Sequence, residues 1–314
     1  MRTLSDAKPA LPRAVAGNLL PVLKHRLIFG PVLIALLVGA IWLDVWMESQ
    51  TGHAGIILLP LIAIGILGAV QEIAPLMRAL RTEASRRLLS TCALLGLAAC
   101  TLTPSGFSSQ TSIAIVASAG GLAMLGSIIF YSRNRTTAGV VLATGVALIC
   151  FVYLGLMSGF LFLIRREFGA WELLATLLIT KSYDIGAFFT GSAIGRHKLI
   201  PWLSPGKTWE GLFGGLIVSS LIALGVWALG HSLVETPEAA SLLTIAWWEA
   251  SLIGTLLGLV GQGGDLIASM FKRDAGVKDY SKALPGFGGI MDVIDSPLLV
   301  APVAFWVFLA ATGQ

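Results

Sequence analysis

The feature that most constrains this chain is its succession of apolar segments, each about as long as a bilayer is thick. A membrane-crossing helix needs about 20 predominantly apolar residues. Read by length and apolarity, the sequence offers nine, at roughly 27–46, 54–71, 88–103, 112–131, 138–157, 170–190, 209–229, 246–270 and 289–312. The third is short. The stretch 138–164 is nearly continuous and reads either as one long tilted helix or as a span followed by an interfacial piece. Composition agrees: 56% of the 314 residues are hydrophobic and 12% are charged, against about 25% charged in soluble domains. There are too few polar residues to cover a water-facing surface. The fold class read from this is an all-α, polytopic integral membrane protein. Residues 1–26 are polar and end in Lys24-His25-Arg26, and the apolar run after them is too long for a signal peptide. That run is expected to stay as an anchor.

Loop charge tests the count of nine. With the N-terminus in the cytoplasm, the inside segments hold 18 of the 21 Lys and Arg residues, while the outside loops hold only Arg165 and Arg166. Cytoplasmic loops collect cations, and a wrong helix count would scramble this asymmetry. The net charge of +4 is therefore read as membrane topology, and no nucleic-acid partner is expected. Cys92, Cys100 and Cys150 lie in apolar runs without CxxC spacing, so they read as small buried hydrophobes. The four histidines are scattered. Asp44 and Glu72 fall near span ends, where an ionisable group is expected to reach water.

Charge inside a span is expensive and marks a functional candidate. The second half of the chain holds Lys181 and Asp184 in ITKSYDIGAFF, Asp265 in LVGQGGDLIASMFKR, and Asp292 and Asp295 in GGIMDVIDSPLL. Lys181 and Asp184 are three residues apart, share a helix face and are open to reading as a local ion pair. Asp292 and Asp295 also share a face, and two like charges there make sense when a cation sits beside them. Asp265 faces the same way as Ser269 and Lys272. Asp265, Asp292 and Asp295 near two cytoplasmic helix ends suit a hard, oxygen-liganded cation such as magnesium, with room for a second cation. Lys272, Arg273, Lys278 and Lys282 lie close by to meet anionic oxygens. Gly286, Gly288 and Gly289 precede the last helix, whose N-terminus favours an anion.

A second cytoplasmic stretch, GRHKLIPWLSPGKTWEGLFGG, repeats this chemistry. Ser204-Pro205 reads as a turn before a helix. Lys207 and Thr208 offer a cation and a hydroxyl, Glu210 a carboxylate on the first helical turn, and Gly211, Gly214 and Gly215 allow close helix packing. Gly206-Lys207-Thr208 matches the end of a P-loop, but Pro201 stands where that pattern needs its first glycine. A P-loop ATPase is therefore disfavoured.

Together these stretches resemble the phosphatidate cytidylyltransferase (CDP-diacylglycerol synthase) family. Its C-terminal signature is matched in register by Ser269, Lys272, Arg273, Lys278, Asp279, Ser281, Leu284, Pro285, Gly288, Gly289, Ile290, Asp292, Ile294 and Asp295. SPGKTWEG and DIGAFFTGSAIGRHKL resemble two upstream motifs of the same family, and the likeness covers roughly residues 140–312. The family's His is Phe287 here and its Arg is Val293, while the carboxylates and the KR…KD core remain. The resemblance implies CMP transfer from CTP to phosphatidate, giving CDP-diacylglycerol and pyrophosphate. It implies catalytic roles for Asp265, Lys272, Arg273, Lys278, Asp279 and Asp292, and substrate contacts from Asp184, Ser204, Lys207, Thr208, Glu210 and Ser269. Asp265, Asp292 and Asp295 would bind magnesium. The expected partners are CTP, phosphatidate or a related lipid phosphate, and membrane lipids, with a homodimer left open. The expected division is a cytoplasmic tail (1–26), N-terminal membrane helices (27–137) and a catalytic membrane domain (138–314) whose site faces the cytoplasm at the inner membrane. Competing readings are a CTP-dependent polyprenol kinase, a transferase for another lipid phosphate, an ion-coupled carrier, and a paralogue that binds lipid or CTP without turnover.

Overall fold

The computed structural model of the chain describes residues 13–80, 82, 84–103, 109–133, 135, 137–233, 245–281, 283, 284 and 288–312. Helices α1 (Arg13–Thr51), α2 (Leu58–Ala79), α3 (Arg86–Thr101) and α4 (Ser109–Ser132) make up the first part. Next comes one unbroken helical path of α5 (Val140–Ile149), a π-helical turn (Cys150–Leu156) and α6 (Met157–Glu167). Then follow α7 (Ala170–Ile194), a hairpin of β1 (Lys198–Ile200) and β2 (Ser204–Thr208), α8 (Trp209–Leu233), α9 (Trp247–Asp274) and α10 (Met291–Ala311).

Among the described residues, seven stretches are long and apolar enough to cross a membrane: Gly30–Thr51, Leu58–Ala79, Gln110–Ser132, Val140–Glu167, Trp209–Ser232, Trp247–Asp274 and Met291–Ala311. The stretch around 138–164 is thus one long helix. The other two expected spans are helices as well, but α3 has only 16 residues and α7 is made less apolar by Glu172, Lys181 and Asp184. The chain is an α-helical, polytopic integral membrane protein. Large apolar side chains stand outward on α1 (Ile34, Leu36, Trp42) and α4 (Ile113, Leu122, Ile129), which lipid tolerates because its tails are as apolar as leucine.

Two apolar cores hold the helices together. One gathers Ile66, Val70, Leu89, Leu97, Ala147, Phe151 and Leu154 with Met291 and Leu298 of α10. The other gathers Ile164, Leu173, Ile179, Leu257, Val300 and Phe308. Small residues let the backbones touch. A Cβ on Gly155 would stand 2.8 Å from the Gly96 Cα, so the π turn meets α3 backbone to backbone. Gly211 and Gly214 do the same for α8 on α7, where added carbons would collide with the Ala187 carbonyl and with Thr190. This is the close packing read from the glycines of the sequence.

The hairpin corrects one expectation. Ser204-Pro205 is not the turn; Ser204 opens β2, antiparallel to β1 with Lys198 opposite Thr208 and Ile200 opposite Ser204. The turn lies at Pro201-Trp202-Leu203, closed by the Leu203 N–H donating to the Ile200 carbonyl at 3.2 Å. Leu203 is buried while Trp202 is exposed. Burial of Leu203 pulls the turn forward, and Trp202 projects from it.

Candidate active site

The end of α9 and the start of α10 are joined through carboxylates. Glu72, buried on α2, accepts the Ile290 and Met291 N–H groups, both at 2.9 Å, and the Ser281 hydroxyl at 2.6 Å. Asp292 Oδ2 accepts the Gly289 N–H at 2.9 Å and the Tyr280 N–H at 3.3 Å. The first N–H groups of a helix lack partners within it and carry partial positive charge, and these two carboxylates satisfy them. Glycine is required here. Gly288 has φ +92°, and a Cβ on it would stand 2.6 Å from Asp292 Oδ2, while a Cβ on Gly289 would collide with Glu72.

Two expectations are corrected by this. Gly288, Gly289 and the helix N-terminus make room for internal carboxylates and not for a substrate anion. Glu72 does not reach water, because the N-terminus of α10 is packed over it. Asp44 is fully buried too. It accepts the N–H groups of Gly55, Ile57 and Leu58 at 3.0, 2.9 and 3.3 Å and pairs with Arg165 Nε at 2.9 Å.

Lys272 is buried between the Asp292 carboxylate, 2.7 Å away, and the Tyr280 ring, whose centroid is 5.3 Å from Nζ. The Tyr280 hydroxyl donates to the Ala268 carbonyl at 3.1 Å, and burial pushes its pKa up. Ser269 is buried near Lys272 on α9. Arg273 turns to main chain: Nε donates to the Leu203 carbonyl at 3.1 Å and Nη1 to Val277 at 3.4 Å. It locks the hairpin turn to the end of α9. Lys278 and Asp279 are exposed. Lys282, Pro285, Gly286 and Phe287 lie outside the described residues.

Beside this junction a cavity of about 470 Å³ opens between α7, β2, α8, α9 and α10. Asp184, Asp265, Asp292 and Asp295 all line it, with Lys207, Thr208, Gln262 and Ser296. Asp265 pairs with Lys207. Asp184 and Lys181 form the i, i+3 pair, at 3.5 Å and half-exposed. Asp295 is buried, and its Oδ1 accepts the Ser296 N–H at 2.6 Å and hydroxyl at 3.2 Å. Thr208 Oγ1 accepts the Gly211 N–H at 3.1 Å, tying off the first turn of α8. Glu210 accepts the His197 N–H at 3.2 Å and meets its Nδ1 at 2.7 Å, closing the base of the hairpin. Ser204, Glu210, Ser269, Lys272, Arg273, Lys278 and Asp279 therefore surround the cavity or lie beyond it, whereas Asp184, Lys207, Thr208 and the three expected metal carboxylates face into it.

Among the described residues no three His, Cys, Asp or Glu side chains stand close enough to hold one metal ion. Asp265, Asp292 and Asp295 are each turned to a partner within the protein. Their chemistry still fits a hard cation: four carboxylates on one small cavity are an all-oxygen donor set, and the cations paired with them, Lys181, Lys207 and Lys272, leave one negative charge unmatched. Reading the sequence set Glu72 aside as a span-end group and missed Tyr183 and Gln262. Glu72 carried a usable signal, a carboxylate in an apolar run. Tyr183 and Gln262 carried none, since neutral polar residues are common in spans.

Comparison with known proteins gives concordant results. Residues 24–311 match the profile of the cytidylyltransferase family. An uncharacterized protein of Escherichia coli, YnbB, is 44% identical over 138 residues, covering 44% of this chain and 42% of that protein. A phosphatidate cytidylyltransferase of Chlamydia trachomatis is 34% identical over 195 residues, 60% of this chain and 61% of the relative. One from Pseudomonas aeruginosa is 42% identical over 141 residues, 45% and 48% of the two chains. The chain thus spans about half the length of the curated relatives it matches.

Proposed function

The chain belongs to the cytidylyltransferase family, and from that premise we propose that it transfers CMP from CTP to phosphatidate, yielding CDP-diacylglycerol and pyrophosphate. A phosphate oxygen of the lipid attacks the α-phosphorus of CTP. The new P–O bond forms as the bond to pyrophosphate breaks, and pyrophosphate departs with the electron pair. The observation that carries this reading is the cavity on which Asp184, Asp265, Asp292 and Asp295 meet Lys207 and Thr208.

Both reactants are anions, so catalysis rests on holding them together and offsetting their charge. Asp265, Asp292 and Asp295, with Asp184 beside them, would hold magnesium and leave room for a second cation. The bound ion supplies positive charge to phosphate oxygens. Lys207 is held on the cavity wall by Asp265 and is placed to exchange that partner for a phosphate. Lys272 fixes Asp292 and adds a buried cation behind it. Arg273 and Glu210 fasten the hairpin that carries Ser204, Lys207 and Thr208. Exposed Lys278 raises the local concentration of anions, and Asp279 and Ser269 shape the same junction. The reading places nine spans in the inner membrane with the N-terminus and the site on the cytoplasmic side, where CTP is in water and the lipid headgroup is in reach. The distribution of 18 of 21 cations supports that orientation.

Purified protein in detergent with labelled CTP and phosphatidate, with and without magnesium, tests the reaction. Metal-dependent CDP-diacylglycerol that vanishes in Asp292→Asn supports it. Product from a polyprenol or another lipid phosphate, and none from phosphatidate, overturns the assigned acceptor.

A further inference from the structure

Gln262 lies on α9, three residues before Asp265 and on the same face. One helical residue rises about 1.5 Å, so Gln262 sits roughly 4.5 Å deeper along α9 than that carboxylate. It lines the carboxylate cavity and is 7% exposed. Its Oε1 accepts the Tyr183 hydroxyl at 2.9 Å. Its Nε2 is buried and has no hydrogen-bond partner among the described residues. A buried amide nitrogen left unpaired costs about 1–3 kcal/mol, so the position is destabilising unless something else accepts its hydrogens.

Tyr183 fixes where the amide of Gln262 sits. The ring is fully buried on α7, in a slot floored by two glycines. A Cβ on Gly215 of α8 would stand 2.6 Å from Cε2, and one on Gly258 of α9 3.0 Å from Cδ2. A clamped ring holds its hydroxyl against the amide, donating to Oε1 with the NH2 toward the cavity. A hydroxyl can also accept, so electrostatics is what selects this flip. The opposite flip would turn an amide oxygen toward a cavity lined by Asp184, Asp265, Asp292 and Asp295, where like partial charges repel. Amide nitrogens are donors only, so the cavity presents a fixed neutral donor at its inner wall.

We propose that Gln262 is a substrate-binding residue whose amide NH2 donates to a phosphoryl oxygen at the deep end of the cavity, with Tyr183 as its positioning residue. This rests on the nucleotidyl transfer proposed above. The phosphoryl oxygen belongs either to the nucleotide or to the lipid phosphate. A neutral donor suits it because it meets an anionic oxygen without tying up one of the carboxylates by ion pairing.

The test compares wild type, Gln262→Met, Tyr183→Phe and the double variant, all full-length in detergent. Steady-state turnover of CTP and phosphatidate is measured beside direct binding of each substrate with magnesium. Gln262→Met, similar in length but without a donor, lowers kcat/KM roughly 10- to 100-fold. Weaker binding of CTP assigns the oxygen to the nucleotide, and weaker binding of phosphatidate assigns it to the lipid. Tyr183→Phe keeps the ring and lowers kcat/KM about 3- to 10-fold, with little further loss when added to Gln262→Met, as expected of residues acting as a unit. Should Gln262→Met fail to fold, Gln262→Glu, which keeps the shape and the acceptor for Tyr183, carries the same expectation. Gln262→Met within about twofold of wild type in turnover and in both affinities overturns the proposal. So does full additivity of the two changes, which assigns Tyr183 to packing alone. If wild type binds both substrates but makes no product, the reaction reading fails while the affinities still judge Gln262. If wild type binds neither substrate, both fail.

Discussion

Two charge clusters lie toward opposite ends of α2, and they are built on opposite principles. Asp44 caps the start of the helix, and Glu72 lies 14 residues beyond Leu58, roughly 21 Å along the axis. At the first end every charge is spoken for. Asp44 takes three main-chain N–H groups and Arg165 Nε, and Arg165 also reaches Glu48. That cluster is a seal between α1, α2 and α6. Toward the second end, four carboxylates line one cavity. Lys181, Lys207 and Lys272 pair with three of them and Asp295 has only Ser296, while a buried amide NH2 has no partner among the described residues. Acids in excess, beside an unused donor, describe a place that expects a ligand. Neither burial nor pairing alone separates the two; one carboxylate without a cation and one unused donor do.

That contrast can be broken experimentally, beginning with the cavity. Asp292→Asn, or removal of divalent metal by a chelator, is expected to cut CMP transfer at least about a thousandfold, with helix content by circular dichroism unchanged. At the sealed end the expectation inverts. Asp44→Asn leaves buried Arg165 with only the part-exposed Glu48 as its charge partner and should cost about 3 kcal/mol in stability, seen as an earlier detergent thermal-unfolding midpoint. Turnover per folded molecule should stay within about twofold. Glu72→Gln falls between the two. It keeps the shape but weakens a charge-assisted cap on the helix that carries Asp292 and Asp295, so activity is expected to fall about tenfold with a modest stability loss. The smallest effect belongs to Lys278→Ala. The side chain is exposed, so apparent CTP affinity should weaken only about two- to threefold, and less at high salt, as screening predicts.

Much of the molecule is legible from the order of residues. Seven of the expected spans recur as helices long and apolar enough to cross a membrane, because apolar length is a local property that lipid reads directly. The intramembrane Asp184, Asp265, Asp292 and Asp295 stood out for the same reason, since a charge in an apolar run announces itself. The neighbours of these groups were harder to read. Arg273 looks like a phosphate fork in sequence, yet it holds the hairpin turn through the Leu203 carbonyl. Gly288 and Gly289 look like a substrate cradle and instead clear space for Asp292 and Glu72.

The sequence by itself determined the helical membrane class, the placement of charge along the chain and the identity of the carboxylates, because hydropathy and the cost of burying charge act residue by residue. Only the tertiary structure decided which charges are already satisfied. Glu72 meets the last helix across a separation of more than two hundred residues, Arg165 meets Asp44 across more than a hundred, and Tyr183 meets the amide of Gln262 from a neighbouring helix. Whether a buried polar group is a seal or a site depends on its partners in space, and partners brought together by helix packing leave no mark on local sequence.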